Sequence, residues 1–293
     1  MAATLDASFL TRLDALRLSV RWMRWGHHLG GRFIINRRGS SIEFADYSAY
    51  TPGDDIRAID WNLYARLDRL FVKTYKEEVE LSVEVLVDAT ASMALPSPKK
   101  FERATQIASC LAYIGLAGRH HVRMSWIAPG ALQASSWFFH RGDFGRLSER
   151  AEAVRPAGTQ PMAAWMDRAV AGLRIRGGQA IVLSDWMVHP AESFRALHRL
   201  LGKRVEVKVI QVLMPQELDP ARLFRGGLLV DSETGQTHQL AYPPEELARA
   251  VIDHNETLAR FCKRNGLPLA QHRVDESLET FLLHTLPARG FLE

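Results

Sequence analysis

Five oxygen-bearing side chains could gather around one hard cation: Asp88, Thr90, Ser92, Thr159 and Asp185. Asp88 ends the apolar run Val83-Glu84-Val85-Leu86-Val87, and Ala89-Thr90-Ala91-Ser92-Met93 follows. Carboxylate and hydroxyl groups at alternating positions converge as a loop turns over a strand end. Such ligands are hard and carry little charge, which suits Mg²⁺ first, then Mn²⁺ or Ca²⁺, and not a thiophilic metal. Thr159 lies in Ala157-Gly158-Thr159-Gln160-Pro161, just before a predicted helix. Asp185 ends a second apolar run, Ala180-Ile181-Val182-Leu183-Ser184. Taken singly, each residue has a plainer reading: two strand-end carboxylates, and two hydroxyls capping a helix. The five together favour a cation site.

A sheet has to place both aspartates. The two runs are continuously apolar, as buried central parallel strands are. Strands are also predicted at His121–Ile127, at Ser135–His140 as a hairpin partner on a sheet edge, at Val205–Leu213 and at Pro268–Arg273. Helical patterns lie between them at Lys99–Arg119, Asp143–Val154, Met162–Leu173, Pro190–Leu201, Glu245–Asn265 and Glu276–Leu286. This alternation predicts an α/β fold, a doubly wound and mainly parallel sheet with helices on both faces. In such folds the ligand crevice lies outside the carboxyl ends of the strands, where Asp88 and Asp185 fall. Residues 81–293 read as this domain, with a hairpin insertion near 225–239 carrying Gly226-Gly227 and Thr234-Gly235. Residues 1–80 read as an N-terminal helix over 7–25 and a small β-rich module with runs at Arg32–Asn36, Ser41–Phe44 and Leu70–Tyr75.

Composition narrows the class. The 293 residues are 47% apolar and 24% charged, which are globular proportions and exclude a largely disordered chain. A formal charge of +4 is small for this length. It is uneven, with Arg12, Arg17, Arg21, Arg24, Arg32, Arg37 and Arg38 in the first forty residues. Trp22, Trp25 and Phe33 interleave with them, so nucleic-acid binding by the Arg-rich start is one alternative function. A solvated, salt-bridged helix face is the reading we favour. Cys110 and Cys262 sit in helical patterns with neither disulfide nor metal spacing, and read as core residues. The start lacks the pattern of a secretory signal, and no apolar run approaches the ~18 residues of a membrane span. A cytoplasmic location is expected.

The pattern Asp88-x-Thr90-x-Ser92-Met93 after a hydrophobic strand, then Gly158-Thr159 before a helix, then Leu183-Ser184-Asp185 at a strand end, resembles the von Willebrand factor A domain. Its metal-ion-dependent adhesion site (MIDAS) has Asp-x-Ser-x-Ser, a distant Thr and a distant Asp. The resemblance implies Thr90, Ser92 and Thr159 as direct ligands, with Asp88 and Asp185 acting mainly through water. Thr90 stands where that family usually has Ser. A second stretch, Tyr50-Thr51-Pro52-Gly53-Asp54-Asp55-Ile56-Arg57-Ala58-Ile59-Asp60-Trp61, followed by Ala65-Arg66, Lys73 and Glu77-Glu78, is similar to the signature of a bacterial family, the domain of unknown function numbered fifty-eight. That resemblance covers about residues 25–215. It implies a von Willebrand A-like domain in an accessory protein that links a MoxR-type AAA+ ATPase to a client protein. Physically, Asp54, Asp55, Arg57, Asp60 and Arg66 suggest a charge network, with Trp61 as an apolar body at the same junction.

These observations lead to a non-enzymatic expectation. A hard cation with an open coordination position attracts an Asp or Glu of a partner, which makes an adaptor for protein–protein interaction. The other alternative is a metal-dependent phosphoesterase-like hydrolase. That chemistry needs several carboxylates around paired ions and a positioned base. Here His120, His121, His140 and His189 are scattered, His189 alone lying near Asp185 in sequence. The chain has no P-loop, no Gly-x-Gly-x-x-Gly cradle and no Gly-x-Ser-x-Gly elbow.

Overall fold

The structure is a computed structural model. It describes residues 7–20, 42–54, 56–77, 81–128, 131–158, 170–171, 178–187, 190–203, 205–219, 228–230, 237–239 and 244–293. Several expectations lie outside these residues: Thr159, Asp55, Glu78, His189, Arg21, Arg24, Arg32, Arg37, Arg38, Trp22, Trp25, Phe33, the strand run 32–36 and most of the helix over 162–173.

In chain order, the elements begin with helix α1 (Ala7–Leu13), strand β1 (Ile42–Ala49), helix α2 (Trp61–Leu67) and strand β2 (Phe71–Glu77). Strand β3 (Ser82–Asp88), helix α3 (Lys99–Ala117), strands β4 (His121–Ala128) and β5 (Ala131–Ala134), and helix α4 (Phe144–Ala153) follow. Next come β6 (Gly178–Ser184), α5 (Pro190–Leu201), β7 (Glu206–Leu213) and the single turn α6 (Pro215–Leu218). The pair β8 (Leu228–Val230) and β9 (Thr237–Gln239), helix α7 (Pro244–Arg264) and strand β10 (Leu269–Arg273) complete the set. A helical segment, Leu278–Thr280, passes through a π turn at Phe281–Thr285 into Leu286–Ala288.

The principal sheet has six strands in the order β10-β7-β6-β3-β4-β5. All neighbours run parallel except β5, which returns antiparallel beside β4. This is the doubly wound arrangement expected from the alternating pattern. The order reverses at β3 and β6, and Asp88 and Asp185 sit at the carboxyl ends of these two strands, where sheets of this kind bind ligands. The edge strand is Ala131–Ala134 and not Ser135–His140. Ala128 pairs with Ala131, so the return strand begins three residues after β4 ends. Beyond it, Phe138 makes one isolated bridge to Val122. The expected hairpin near 225–239 is present as β8 and β9.

Burial follows from the strand pattern. Every residue of β3 after Ser82 and every residue of β6 is buried. Leu86, Ala180, Val182, Val207 and Val209 pack with Leu197 and Leu200 of α5 and Leu258 and Cys262 of α7. Helix α3 packs across β3 and β4, burying Phe101, Ala104, Ile107, Ala108, Leu111 and Ile114. Gly115 permits this closeness, since an added Cβ would lie 2.8 Å from Val122 Cγ2. Burial pushes both Cys110 and Cys262 thiols up, as suits core side chains. A buried charge in the sheet is paired: Glu84 of β3 accepts from Arg123 Nε at 3.0 Å and Nη2 at 2.6 Å, and from the Ser125 hydroxyl.

The N-terminal helix belongs with this sheet, although by sequence it grouped with the small module. Residues 7–20 and those from 81 onward form one compact unit, and the described residues of 42–77 form another. Leu13 and Leu18 are buried, and Tyr113 on α3 donates to Asp14 at 2.8 Å. Arg17 and Glu293 exchange backbone hydrogen bonds at 2.8 and 2.9 Å. Lys208 and Gln179 donate to the carbonyl of Ser19, and Lys208 also to that of Phe291 at 3.1 Å. Residues 17–19 and 291–293 are thereby tied to β6 and β7.

In the smaller unit β1 and β2 pair antiparallel, from Ile42 opposite Glu77 to Ala49 opposite Phe71. Two of the signature aspartates, Asp54 and Asp60, make local bonds. Asp54 accepts from the Thr51 amide and hydroxyl, both at 2.8 Å, across the turn where Gly53 has φ +113°. Asp60 caps α2 by accepting from Asn62 N and Leu63 N, and also accepts from Tyr47 at 3.0 Å. Trp61, expected to be packed, is 62% exposed.

Leu13 is fully buried against the larger unit, so Leu13→Ala is expected to cost about 2–4 kcal/mol of unfolding free energy. A melting midpoint unchanged within a degree would mean that the helix is an appendage and not part of the core.

Candidate metal centre

The carboxyl ends of β3 and β6 bring two carboxylates into a buried setting. Asp88 and Asp185 are each 2% exposed. Asp88 Oδ1 accepts from the Thr90 amide at 2.9 Å and the Thr90 hydroxyl at 2.7 Å. Its Oδ2 accepts from the Ser184 hydroxyl at 2.7 Å. The oxygens of Thr90 and Ser92 are 3.0 Å apart. Because the Thr90 proton is committed to Asp88, Ser92 is the donor of that pair. Lone pairs remain on both hydroxyl oxygens beside a carboxylate, the arrangement in which a hard cation finds oxygen donors.

The backbone sets this convergence. A 3₁₀ turn over Ala91–Ala94 folds the loop back, with Met93 buried beneath it. The Ala91 amide donates to the Gly158 carbonyl at 3.1 Å, and the Ala157 amide to that of Ala89 at 2.9 Å. The segment ending at Gly158 (φ +83°) therefore lies beside the 89–92 loop. Thr159 is the next residue in the chain and lies outside the described residues.

Asp185 is positioned differently. Its Oδ1 accepts from Met187 N at 3.1 Å, and its Oδ2 from Lys100 Nζ at 2.8 Å. Its carbonyl accepts from Gln211, which also donates to Asn255. The following Trp186 is fully buried with φ +56°. That left-handed conformation costs on the order of 1–2 kcal/mol in a residue with a Cβ. Four hydrogen bonds hold it: Trp186 N to Ser184, Trp186 Nε1 to Ile210 O, His254 to the Trp186 carbonyl at 2.7 Å, and Gln211 to that of Asp185.

Sequence reasoning passed over three residues here. Lys100 is 1% exposed and bridges Asp185 and Glu217, the latter at 2.6 Å. Glu217 also accepts from Met214 N at 2.7 Å, closing the first turn of α6. Ser184 joins the two strand ends. A signal for Lys100 exists: Lys100, Ala104, Ile107 and Leu111 fall on one helical stripe, and the other three are core residues. A lysine on that stripe has to find carboxylates. One turn on, Arg103 donates to His272 Nε2 at 3.1 Å and to the Glu276 carbonyl at 2.8 Å.

Electrostatics follow from burial. Desolvation first, and then the charge of Asp185, push the Asp88 carboxyl up to about 6, against the hydrogen bonds of Ser184 and Thr90. Burial by itself would push the Lys100 ammonium down, but Asp185 and Glu217 outweigh it and leave it above the usual lysine range. Burial raises Glu217 even with Lys100 opposing. Negative charge at Asp88 is thus incompletely balanced, and the nearest donors to its rim are hydroxyls. Among the described residues there is no group of three or more His, Cys, Asp or Glu suited to a metal. The donor set here is instead two carboxylates and two hydroxyls, and it fits a hard divalent cation with water completing its shell.

The pH response has a definite sign. Between about pH 4 and 6 the folded chain keeps a proton on Asp88 that the unfolded chain has released, so stability falls as pH rises through that window. In EDTA, Asp88→Asn is expected to exceed wild type by on the order of 2 kcal/mol at about pH 7.5, with the gap closing by about pH 4. Chemical denaturation at both pH values measures it. A gap that widens as the pH falls would contradict the buried-charge account.

Over residues 46–257 the chain matches the family described as "Protein of unknown function DUF58". It is 28% identical to uncharacterized proteins of Mycobacterium tuberculosis and Mycobacterium bovis, over 92% of this chain and 86% of theirs. Among solved structures it is similar to the conserved hypothetical protein BatB from Bacteroides thetaiotaomicron, with a TM-score of 0.40 and 16% identity over 71% of this chain and 98% of that one. It is also similar to the SpRpn10 VWA domain, with a TM-score of 0.43 and 12% identity over 71% and 96%. From the family match over most of its length, the chain belongs to the DUF58 family.

Proposed function

We propose that this protein is a divalent-cation-dependent interaction module, an adaptor that grips an acidic side chain of a partner. The observation that carries this reading is the hydrogen-bonded series Ser92–Thr90–Asp88 at the end of the central strand, beside a second buried carboxylate. A bound Mg²⁺ or Mn²⁺ supplies a hard positive centre that accepts a carboxylate oxygen. Thr90 and Ser92 would hold it by their hydroxyls, Thr159 would join them, and Asp88 and Asp185 would orient its waters. The chain's own contribution is to keep these groups in place before a partner arrives, through the 3₁₀ turn, the Ser184 link and the braced Trp186 turn.

The partner assignment extends that reading. A MoxR-type AAA+ ATPase and a protein client, approached through an Asp or Glu, are the partners we propose. No helix among the described residues is long and apolar enough to cross a membrane, and the interaction is proposed to take place in the cytoplasm.

The direct test has two arms. Mg²⁺ or Mn²⁺ should raise the melting midpoint of wild type by several degrees at concentrations well above Kd, and Asp88→Ala should abolish the rise. Pull-downs with the ATPase should need the cation and be lost in Asp88→Ala. Metal-dependent turnover of ATP or a phosphoester that disappears in Asp88→Ala would replace this function with hydrolysis.

A further inference from the structure

The buried Lys100 is unusual company for a cation site. Its ammonium is 2.8 Å from Asp185 Oδ2, a carboxylate assigned to the same site, and 2.6 Å from Glu217 Oε1. It is 1% exposed and anchored on α3, whose packing against β3 and β4 fixes where it can reach. Glu217 is held in turn by the amide of Met214, directly after β7. Resting on the cation site argued above, we infer that Lys100 is a tethered internal cation that competes with the divalent ion for Asp185, and that Glu217 sets the strength of that competition by sharing the ammonium.

Charge counting makes the inference specific. With every group ionised, Asp88, Asp185 and Glu217 against Lys100 leave two negative charges. Removing Lys100 leaves three, and removing the Glu217 charge leaves one. Removing both returns two, now on Asp88 and Asp185 alone. In a poorly hydrated site, one fixed unit charge a few ångströms away changes the affinity for a dication by roughly tenfold or more. A merely structural pair would behave otherwise, since damage to either partner would loosen the site in the same direction. Lys100 also keeps Asp185 partnered without metal, so the charge burden of the empty site rests on Asp88.

Calorimetric titration of the full chain with MnCl₂ tests this, using wild type, Lys100→Met, Glu217→Gln, the double variant, and Asp88→Ala as a control. Lys100→Met should bind Mn²⁺ roughly tenfold tighter or more, Glu217→Gln several-fold weaker, and the double variant close to wild type. Should Lys100→Met fail to fold, with Glu217 left unpaired, Glu217→Gln decides: weaker binding supports the inference, and unchanged or tighter binding overturns it. If wild type binds Mn²⁺ through Asp88 but Lys100→Met binds it no tighter, the tethered-cation role fails while the cation site stands. If neither wild type nor Lys100→Met binds Mn²⁺, the site itself fails and this role with it.

Discussion

Two carboxylates at the ends of adjacent buried strands repel each other and lack water to screen them. Asp88 and Asp185 are in that position, and much of the surrounding structure answers the cost. Asp88 is answered by hydroxyls and an amide, from Thr90 and Ser184. Asp185 is answered by an ammonium, that of Lys100. Burial first, and then the neighbouring charge of Asp185, push the Asp88 carboxyl up to about 6 against those hydrogen bonds. The two carboxylates are therefore held differently, Asp88 by dipoles and Asp185 by a full countercharge.

The same constraint explains the scaffold. The parallel sheet places Asp88 and Asp185 at one rim because β3 and β6 are neighbours at the point where the strand order reverses. Helix α3 closes over that rim from one face and delivers Lys100 and Arg103 in successive turns. Residues of β7 and α7 brace the Asp185–Trp186 turn from the other side through Gln211, Ile210, Asn255 and His254. Residues 17–19 and 291–293, joined through Arg17, Glu293 and Lys208, pack at the other end of β6 and β7.

The apolar runs Val83–Val87 and Ala180–Leu183 were legible in sequence because strands buried on both faces need continuous apolar side chains. Their trailing aspartates stood out for the same reason. The Thr90–Ser92 spacing was legible through a resemblance, and the two hydroxyl oxygens lie 3.0 Å apart. Other features depended on three-dimensional neighbours. The edge strand, expected at Ser135–His140, lies at Ala131–Ala134, where its pairing with β4 and not its own composition fixes it. The N-terminal helix was grouped by chain order, whereas its apolar side chains pack on the larger unit. The role of Lys100 was not legible, since nothing local shows that Asp185 and Glu217, 85 and 117 residues away, converge on it.

The central claim is that a divalent cation belongs against Thr90 and Ser92 beside Asp88. Anomalous diffraction from crystals of the full chain soaked in MnCl₂ tests it most directly. The account predicts one manganese peak in contact with the Thr90 and Ser92 hydroxyl oxygens, with Lys100 still near Asp185. Manganese bound elsewhere, with Asp88, Thr90 and Ser92 still hydrogen-bonded to one another, would contradict it.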